Sequence, residues 1–254
     1  MNRQIADKLF LKSALCHQNE QISIGQVLLW LRKQSNKVEV SVTQCPLKAI
    51  EGWNYNEKKD LIEHQSGGFF SIEGIDIKSN CLQEEWQQPI INQAEVGYLG
   101  IIAKEINSVL HFLLQAKIEP GNVNYVQLSP TLQATRSNYT RVHKGKKPLY
   151  LDYFINARPE QVLVDQLQSE QGGRFLRKRN RNIIIKITEE IKIGERFIWL
   201  TLSQIKSLMQ YDNVVNMDTR SVISCISFGK KIENDIRLET SSTDPRKMDF
   251  LKSS

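Results

Sequence analysis

The spacing of apolar residues predicts two helical patches followed by short strands in the first third of the chain. Over residues 5–33 apolar side chains recur at helical spacing, with a break near Gly25, which predicts a packing helical segment. Strict alternation over residues 37–43 predicts a strand with its valines buried. Two glycines and an alternating run predict a turn and a strand over residues 67–77. A proline inside residues 86–93 favours an edge strand or a bend there.

Two apolar runs in the middle of the chain predict a β-hairpin. Residues 96–106 and 109–115 are joined at Asn107 and Ser108, a connection short enough for a tight hairpin turn. His111 lies in the second run. A lone histidine in such a strand is more often a core residue than a catalyst, so His111 is only a reserve acid–base candidate.

The last third mixes helical and extended patterns. Residues 158–172 have helical spacing and end on Gly-Gly, which predicts a helix. Read as one strand, residues 177–187 place alternate arginines on the same face as alternate isoleucines. Residues 202–210 predict a further helix. From residue 229 onward the chain is charged and serine-rich, which is typical of a weakly ordered tail.

Short strands interrupted by helices, without regular βαβ alternation, predict the α+β class. The hydrophobic share of 40% supports a sizeable core. We expect a helical segment over residues 1–36 that packs on the core, one main domain over residues 37–228, and a polar tail over residues 229–254.

Charge and cysteine usage narrow the cellular setting. The net charge of +6 mildly favours an anionic partner. The four cysteines are far apart and form no CxxC pair, which favours reduced thiols in the cytoplasm. No apolar window has the length needed to cross a bilayer, and the first residues lack a signal-peptide pattern. We therefore expect a cytoplasmic protein with no membrane partner.

The polar stretch over residues 115–141 carries the strongest candidate chemistry. It is rich in Gln, Asn, Thr, Tyr and Arg, neutral hydrogen-bonding groups and anion-binding forks that suit a polyhydroxylated, negatively charged ligand. Gln115, Lys117 and Glu119 share one strand face by alternation. A surface ion pair between Lys117 and Glu119 is the alternative.

Two later segments allow both functional and ordinary interpretations. Residues 174–181 contain five basic residues in eight, which fits a pyrophosphate clamp, a solvated face, or RNA binding. Only Phe175 there could stack on a base, so RNA is the weakest of the three. Asn216 and Asp218 follow a predicted helix and fit either turn chemistry or the site.

Long sequence words resemble the NDP-hexose 2,3-dehydratases of deoxysugar biosynthesis. The words are FFSIEGIDI, WQQPIINQAEVGYLGI, QAKIEPGN, VQLSPTLQATRSNYTRVHKG, LQSEQGGRFLRKRNRN and WLTLSQIKSLMQYDNVVNMDTRSVISC. The resemblance implies a Nudix-like αβα fold with a mixed sheet. The glutamate-rich hydrolase box of that fold is absent from the sequence, which disfavours a metal-dependent pyrophosphatase. Family members usually carry two copies of this unit and this chain has one, so we expect a homodimer.

The activity that the resemblance implies is elimination of water across C2 and C3 of a nucleotide-bound 4-keto-6-deoxyhexose, most often carried on dTDP. The product would be a 3,4-diketo-2,6-dideoxy sugar nucleotide. No redox cofactor is required, and neither a GxGxxG nor a GxxxxGK loop is present. No paired-histidine metal set is present either, so we expect no cofactor, no metal and no nucleic-acid partner. The alternatives are a non-catalytic sugar-nucleotide binder and one subunit of a heteromeric enzyme.

Elimination needs a base at C3, donors for the enolate oxygen and an acid for the C2 hydroxyl. The candidate catalytic residues are Lys117, Glu119, Arg136, Tyr139 and Asp218. The candidate substrate-binding residues are Gln115, Gln127, Ser129, Thr135, Asn138, Arg141, Arg177, Arg179, Arg181 and Asn216. The sequence leaves open which carboxylate is the base and which the acid.

Overall fold

The computed structural model describes residues 3–16, 22–80, 85–135 and 147–228. Within these ranges the helices are α1 (Arg3–Ala14), α2 (Ile24–Asn36), α3 (Leu151–Ile155), α4 (Leu202–Leu208) and α5 (Met217–Ser224). The strands are β1 (Trp53–Asn56), β2 (Leu61–His64), β3 (Ser71–Ile77), β4 (Trp86–Asn92), β5 (Gly97–Ile106), β6 (Val109–Ile118), β7 (Val126–Ser129), β8 (Leu132–Ala134), β9 (Val162–Ser169), β10 (Arg179–Ile187) and β11 (Phe197–Thr201).

The core lies on both faces of a mixed seven-stranded sheet. The main strand order is β11-β6-β5-β10-β9, with β7 paired to β6 and β8 paired to β5. Only the β5–β10 pair among these described strands is parallel. Residues of α1, α2, α4 and α5 pack on one face, and Leu151 and Phe154 of α3 pack on the other. The α+β class and the αβα layering are therefore confirmed.

The central hairpin opens into a fork. β5 and β6 pair from Ile106 and Val109 as far as Ile102 and Leu113. Beyond that point β8 takes the place of β6 beside β5, and β7 takes the place of β5 beside β6. A two-residue turn joins β5 directly to β6. Its residues Asn107 and Ser108 both adopt positive φ, as a type I′ turn requires.

Thr131 holds the fork open at its apex. Its hydroxyl accepts a hydrogen bond of 2.9 Å from the amide of Ile102 and donates one to the carbonyl of Leu113. These two backbone groups would bond to each other if the hairpin continued to zip. Gln115 supports the same corner, since its Nε2 donates to the carbonyl of Pro130 at 2.9 Å.

A second sheet, β1-β2-β3-β4, is antiparallel and joins the first through β4. Ile91 accepts from the amide of Leu176 at 2.9 Å and donates to the carbonyl of Arg174 at 2.8 Å. The predicted strand and edge strand over residues 67–77 and 86–93 correspond to β3 and β4, and both predictions are confirmed. This link fixes residues 174–176 beside β4.

Two local predictions are wrong. Residues 37–43 form no strand, because no neighbouring strand pairs with them and their side chains are largely exposed. Residues 162–169, predicted as helix, form β9 because the backbone pairs with β10 along most of its length.

The N-terminal helices and the hairpin follow their patterns. α1 and α2 separate before Gly25, and Phe10, Val27 and Leu31 pack into the core beside β6 and α4. Ser23 and Gln26 form a capping box at the start of α2, worth about 1 kcal/mol.

The division of the chain into segments at residues 36 and 228 stays a prediction, and residues 229–254 lie outside the described ranges. Within those ranges no helix has the length and apolar character that crossing a membrane requires.

Candidate active site

A cavity of about 210 Å³ lies at the open end of the fork. Parts of β5, β6, β8, β10 and α5 form its walls. The polar side chains that line it include Lys117, Gln133, Thr135, Lys178, Asn180 and Asp218. The cavity exists because β7 and β8 keep the arms of the hairpin apart.

Lys117 lines the cavity near the end of β6 and is ion-paired with Glu119, which follows that strand. The ammonium of Lys117 donates to Glu119 Oε1 at 3.0 Å, and Gln133 Nε2 donates to the same oxygen at 2.9 Å. Asn216 Nδ2 donates to Glu119 Oε2 at 3.5 Å. Both side chains of the ion pair are about one quarter exposed, so this is a partly buried pair inside a network and not a surface pair.

Glu119 stays ionised. Burial alone would raise the pKa of its carboxyl. The nearby Lys117 and the hydrogen bonds from Lys117, Gln133 and Asn216 outweigh burial and lower the pKa below the usual range. A carboxylate held in this way serves as a fixed negative charge and a hydrogen-bond acceptor.

Asp218 reaches the cavity from the first turn of α5. The helix begins at the N-cap Asn216, whose Oδ1 accepts from the amide of Thr219 at 2.9 Å. The carbonyl of Leu128 in β7 accepts from the amide of Asn216 at 2.9 Å and from the hydroxyl of Thr219 at 3.2 Å. The fork strand β7 therefore fixes the helix end that presents Asp218.

The pKa of Asp218 is raised to about 6. Burial contributes most, the negative charges of Glu119 and Glu170 add to it, and the charge of Lys117 opposes it. The pKa of Glu119 is lowered and that of Asp218 is raised. Two carboxyl groups with pKa values shifted in opposite directions are typical of sites that carry out acid–base chemistry near neutral pH. Asp218 is the group that can exchange a proton, while Glu119 keeps its charge.

The opposite wall comes from the start of β10 and the end of β9. Lys178 is 5% exposed, and its ammonium donates to the carbonyl of Glu95. Asn180 Nδ2 donates to Glu170 Oε2 at 2.6 Å. Burial lowers the pKa of Lys178, although the charges of Glu95 and Glu170 oppose this. The wall therefore holds a buried cation beside a carboxylate.

The predicted row of arginines does not line this cavity. Arg177 precedes β10 with φ of 51°, and both it and Arg179 are exposed. Arg181 instead forms a two-pronged ion pair with Asp165 at 2.7 and 2.5 Å. Alternation sets Arg179 and Arg181 on the face of Ile183, whereas Lys178 and Asn180 on the other face reach the cavity. The arginine face of β10 is therefore not the face that borders this cavity, and the role of the arginines as substrate ligands stays a prediction.

The cavity lining also excludes four other predicted substrate-binding residues, which are Gln115, Gln127, Ser129 and Asn216. Gln115 supports the fork, and the buried Gln127 donates to Asn124 Oδ1 at 3.1 Å. The buried Ser129 lies opposite Gln115 in the β6–β7 pair. Their role as substrate ligands stays a prediction, as does that of Thr135, which does line the cavity.

Four predicted site residues, Arg136, Asn138, Tyr139 and Arg141, lie outside the described ranges. His111 is buried near the hairpin turn, where its Nδ1 lies 2.9 Å from the carbonyl of Val109, and it does not line the cavity. In the described ranges no three His, Cys, Asp or Glu residues are grouped to hold a metal ion. The expectation that the site has no metal-ligating residues stays a prediction.

Sequence reasoning missed Gln133, Glu170 and Lys178. Gln133 lies in the polar stretch with Lys117, and Lys178 lies in the basic segment with the arginines. The sequence therefore predicted both segments as part of the site without singling out these two residues. The alternation along residues 177–187 already placed Lys178 and Asn180 on the face opposite the arginines. The sequence did not show which of the two faces borders the cavity.

The family follows from a match over most of the chain. The family model described as NDP-hexose 2,3-dehydratase matches residues 24–226. The chain belongs to the NDP-hexose 2,3-dehydratase family. The matched region contains both arms of the fork, α5 and every side chain named above as lining the cavity.

Curated relatives agree with this family and are longer than this chain. A dTDP-4-dehydro-6-deoxy-alpha-D-glucopyranose 2,3-dehydratase from Saccharopolyspora spinosa is 48% identical over 220 residues, which are 86% of this chain and 45% of the relative. A protein of the same name from Amycolatopsis orientalis is 44% identical over 229 residues, which are 88% of this chain and 48% of the relative. The chain thus spans about half the length of the curated relatives that it matches.

Solved structures similar to this member of the 2,3-dehydratase family are distant. An ADP compounds hydrolase matches with a TM-score of 0.39 and 10% identity, over 68% of this chain and 89% of that chain. A C. elegans Ap4A hydrolase matches with a TM-score of 0.31 and 11% identity, over 57% of this chain and 99% of that chain. Scores this low carry no argument about the site, and the Nudix-like part of the fold prediction stays a prediction.

Proposed function

We propose that the chain is a sugar-nucleotide 2,3-dehydratase, a hydro-lyase that removes water across C2 and C3 of dTDP-4-dehydro-6-deoxyglucose. The observation that carries the proposal is that Asp218 lines the cavity with a pKa raised to about 6, in part by the charge of the ionised Glu119. The names of the curated relatives supply the substrate.

In this proposal the hexose enters the cavity and the nucleotide remains outside it. A cavity of about 210 Å³ is smaller than the roughly 300–1,000 Å³ of sites that enclose a whole drug-sized ligand. The diphosphate then lies near the rim, where the exposed Arg177 and Arg179 flank the buried Lys178. Arg181 is excluded from this role by its ion pair with Asp165.

Asp218 carries out both proton transfers. Its carboxylate takes the C3 proton, which the neighbouring C4 ketone acidifies, and the electron pair moves onto the C4 oxygen to form an enolate. The enolate collapses, the C2–O bond breaks, and the leaving hydroxyl takes the same proton from Asp218 and departs as water. The resulting C3 enol tautomerises to the 3,4-diketone. A pKa of about 6 suits both roles because both protonation states are accessible near neutral pH.

In this scheme Glu119 positions the wall that Lys117 lines. It holds Lys117, Gln133 and Asn216 in one network and raises the proton affinity of Asp218. Tyr139 remains the other predicted proton donor, and Lys117 and Arg136 remain the predicted donors to the enolate oxygen.

The test is to incubate the purified chain with dTDP-4-dehydro-6-deoxyglucose in the presence of o-phenylenediamine. A vicinal diketone condenses with this reagent to a stable quinoxaline, which mass spectrometry detects. We expect the quinoxaline from the wild-type chain and none from the Asp218→Asn variant. Binding of the substrate without quinoxaline would overturn the proposal in favour of a non-catalytic binder or one subunit of a heteromeric enzyme.

We propose in addition that the active form is a homodimer in the cytoplasm. The curated relatives are about twice the length of the region that matches, so a second copy would supply a comparable mass. The cysteines in the described ranges, Cys16, Cys45 and Cys225, form no disulfide, which suits a reducing compartment. Light scattering during turnover tests the assembly, and a fully active monomer would contradict it.

A further inference from the structure

We propose that Lys178 is the catalytic residue that holds the C4 oxygen of the substrate and stabilises the enolate. This inference rests on the proposed function and names the group that the sequence did not. It follows from the position, the burial and the hydrogen-bond partners of the Lys178 ammonium.

Lys178 lines the same cavity as Asp218. Lys117 and Lys178 line the same cavity from β6 and from the start of β10, and these strands lie on either side of β5 in the sheet. Asp218 reaches the cavity from α5. A sugar ring between the walls therefore meets a proton-exchanging carboxyl and two different ammonium groups.

The two lysines differ in how their charge is compensated. Lys117 donates to Glu119 at 3.0 Å, so an ionised carboxylate already balances its charge. Among the described residues, the hydrogen-bond acceptor of Lys178 is the neutral carbonyl of Glu95. The carboxylates of Glu95 and Glu170 act on Lys178 through their charge, and that of Glu170 also accepts from Asn180 at 2.6 Å. An ammonium has three N–H donors, so Lys178 can donate a hydrogen bond to a further oxygen.

Because Lys178 is buried, its ammonium interacts more strongly with the C4 oxygen of the enolate than with that of the neutral ketone. Its side chain is 5% exposed, and burying its charge costs free energy that the nearby charges of Glu95 and Glu170 offset only in part. A neutral ketone relieves little of this cost, whereas an enolate oxygen brings a full negative charge. The interaction is therefore stronger in the transition state than with bound substrate, which is the condition for catalysis.

The first measurement separates this role from simple substrate binding. In Lys178→Met we expect kcat and kcat/KM to fall together by about 10²–10³-fold with KM little changed, the usual effect of removing one such donor. Exchange of the C3 proton with solvent deuterium, followed by mass spectrometry, should slow by a similar factor, since enolate formation precedes loss of the C2 hydroxyl. Lys178→Arg, which keeps a cation, should recover at least ten-fold of the lost rate.

The matched control is Lys186→Met on the same strand. Lys186 is ion-paired with Glu105, away from the cavity, so its substitution should leave kcat and exchange unchanged. Thermal melting of each variant normalises the rates to folded protein. An active wild type with unchanged kcat and exchange in Lys178→Met would overturn the inference alone, as would a rise in KM at constant kcat. A wild type that neither exchanges C3 nor forms product would overturn the proposed function, and the inference with it.

Discussion

Glu119 acts on Asp218 through its charge, and together with burial it raises the pKa of Asp218 to about 6. The two residues come from the end of β6 and the start of α5, and Asn216 joins them by capping the helix and donating to Glu119 at 3.5 Å. One carboxyl is thereby fixed as an anion, and the other is left able to exchange a proton at neutral pH.

The pH profile of kcat/KM should show an acidic limb with a pKa near 6. Asp218 must be ionised in the free enzyme to take the C3 proton, so the rate rises as pH increases through this value. Initial rates of diketone formation between pH 5 and 8 provide the check. A limb near pH 4 would mean that Asp218 is not the base.

Asp218→Asn should abolish turnover and stabilise the fold at neutral pH. A carboxyl whose pKa rises from 3.8 to about 6 on folding binds more protons in the folded state between these values. The free energy of unfolding therefore falls as pH rises through this window and stays low above it. We expect the neutral amide of the variant to recover about 1–3 kcal/mol at pH 7.5, measured by urea unfolding.

Two comparisons make this prediction specific. The stability difference between wild type and Asp218→Asn should shrink as pH is lowered toward 4, where both states of the wild type become protonated. The exposed Asp212 is the matched control, and Asp212→Asn should leave the rate unchanged. A stability gain that is independent of pH would point to packing and not to ionisation.

Glu119→Gln should move the acidic limb of kcat/KM to lower pH. The substitution removes a negative charge that raises the pKa of Asp218, and it frees Lys117, whose charge lowers that pKa. Both changes act in the same direction. Glu105→Gln, which breaks an ion pair with Lys186 away from the cavity, should leave the limb in place. A limb that moves to higher pH would refute the coupling.

Thr131→Val should destabilise the protein by about 1–3 kcal/mol, because it leaves the Ile102 amide and the Leu113 carbonyl without the hydroxyl that joins them. The size of the side chain is nearly unchanged and the position is buried, so the loss reports the hydrogen bonds. Urea unfolding measures it, with the exposed Thr188→Val as a control within about 0.5 kcal/mol of wild type. Equal stability of the two variants would show that Thr131 does not hold the fork.

Local signals predicted the elements whose neighbours are close in sequence. The β5–β6 hairpin has two strongly apolar arms and a two-residue turn, and Lys117 and Asp218 stand out within short polar runs. Residues 162–169 fit helical and extended periods almost equally, and pairing with β10 decides between them. For β10, alternation told which residues share a face but not which face borders the cavity. That choice depends on α5 and the fork, which lie far away in the sequence.

The fork also gives the chain a competing way to fold. If β5 and β6 kept the register of their first rungs past Ile102 and Leu113, Tyr98 would face Lys117 and the space for a ligand would vanish. This longer hairpin needs only contacts between residues that are close in sequence. The native arrangement also needs β7 and β8, which follow β6 in the chain. Thr131 disfavours this alternative pairing, because its hydroxyl bonds to the Ile102 amide and the Leu113 carbonyl at the point where the two strands part.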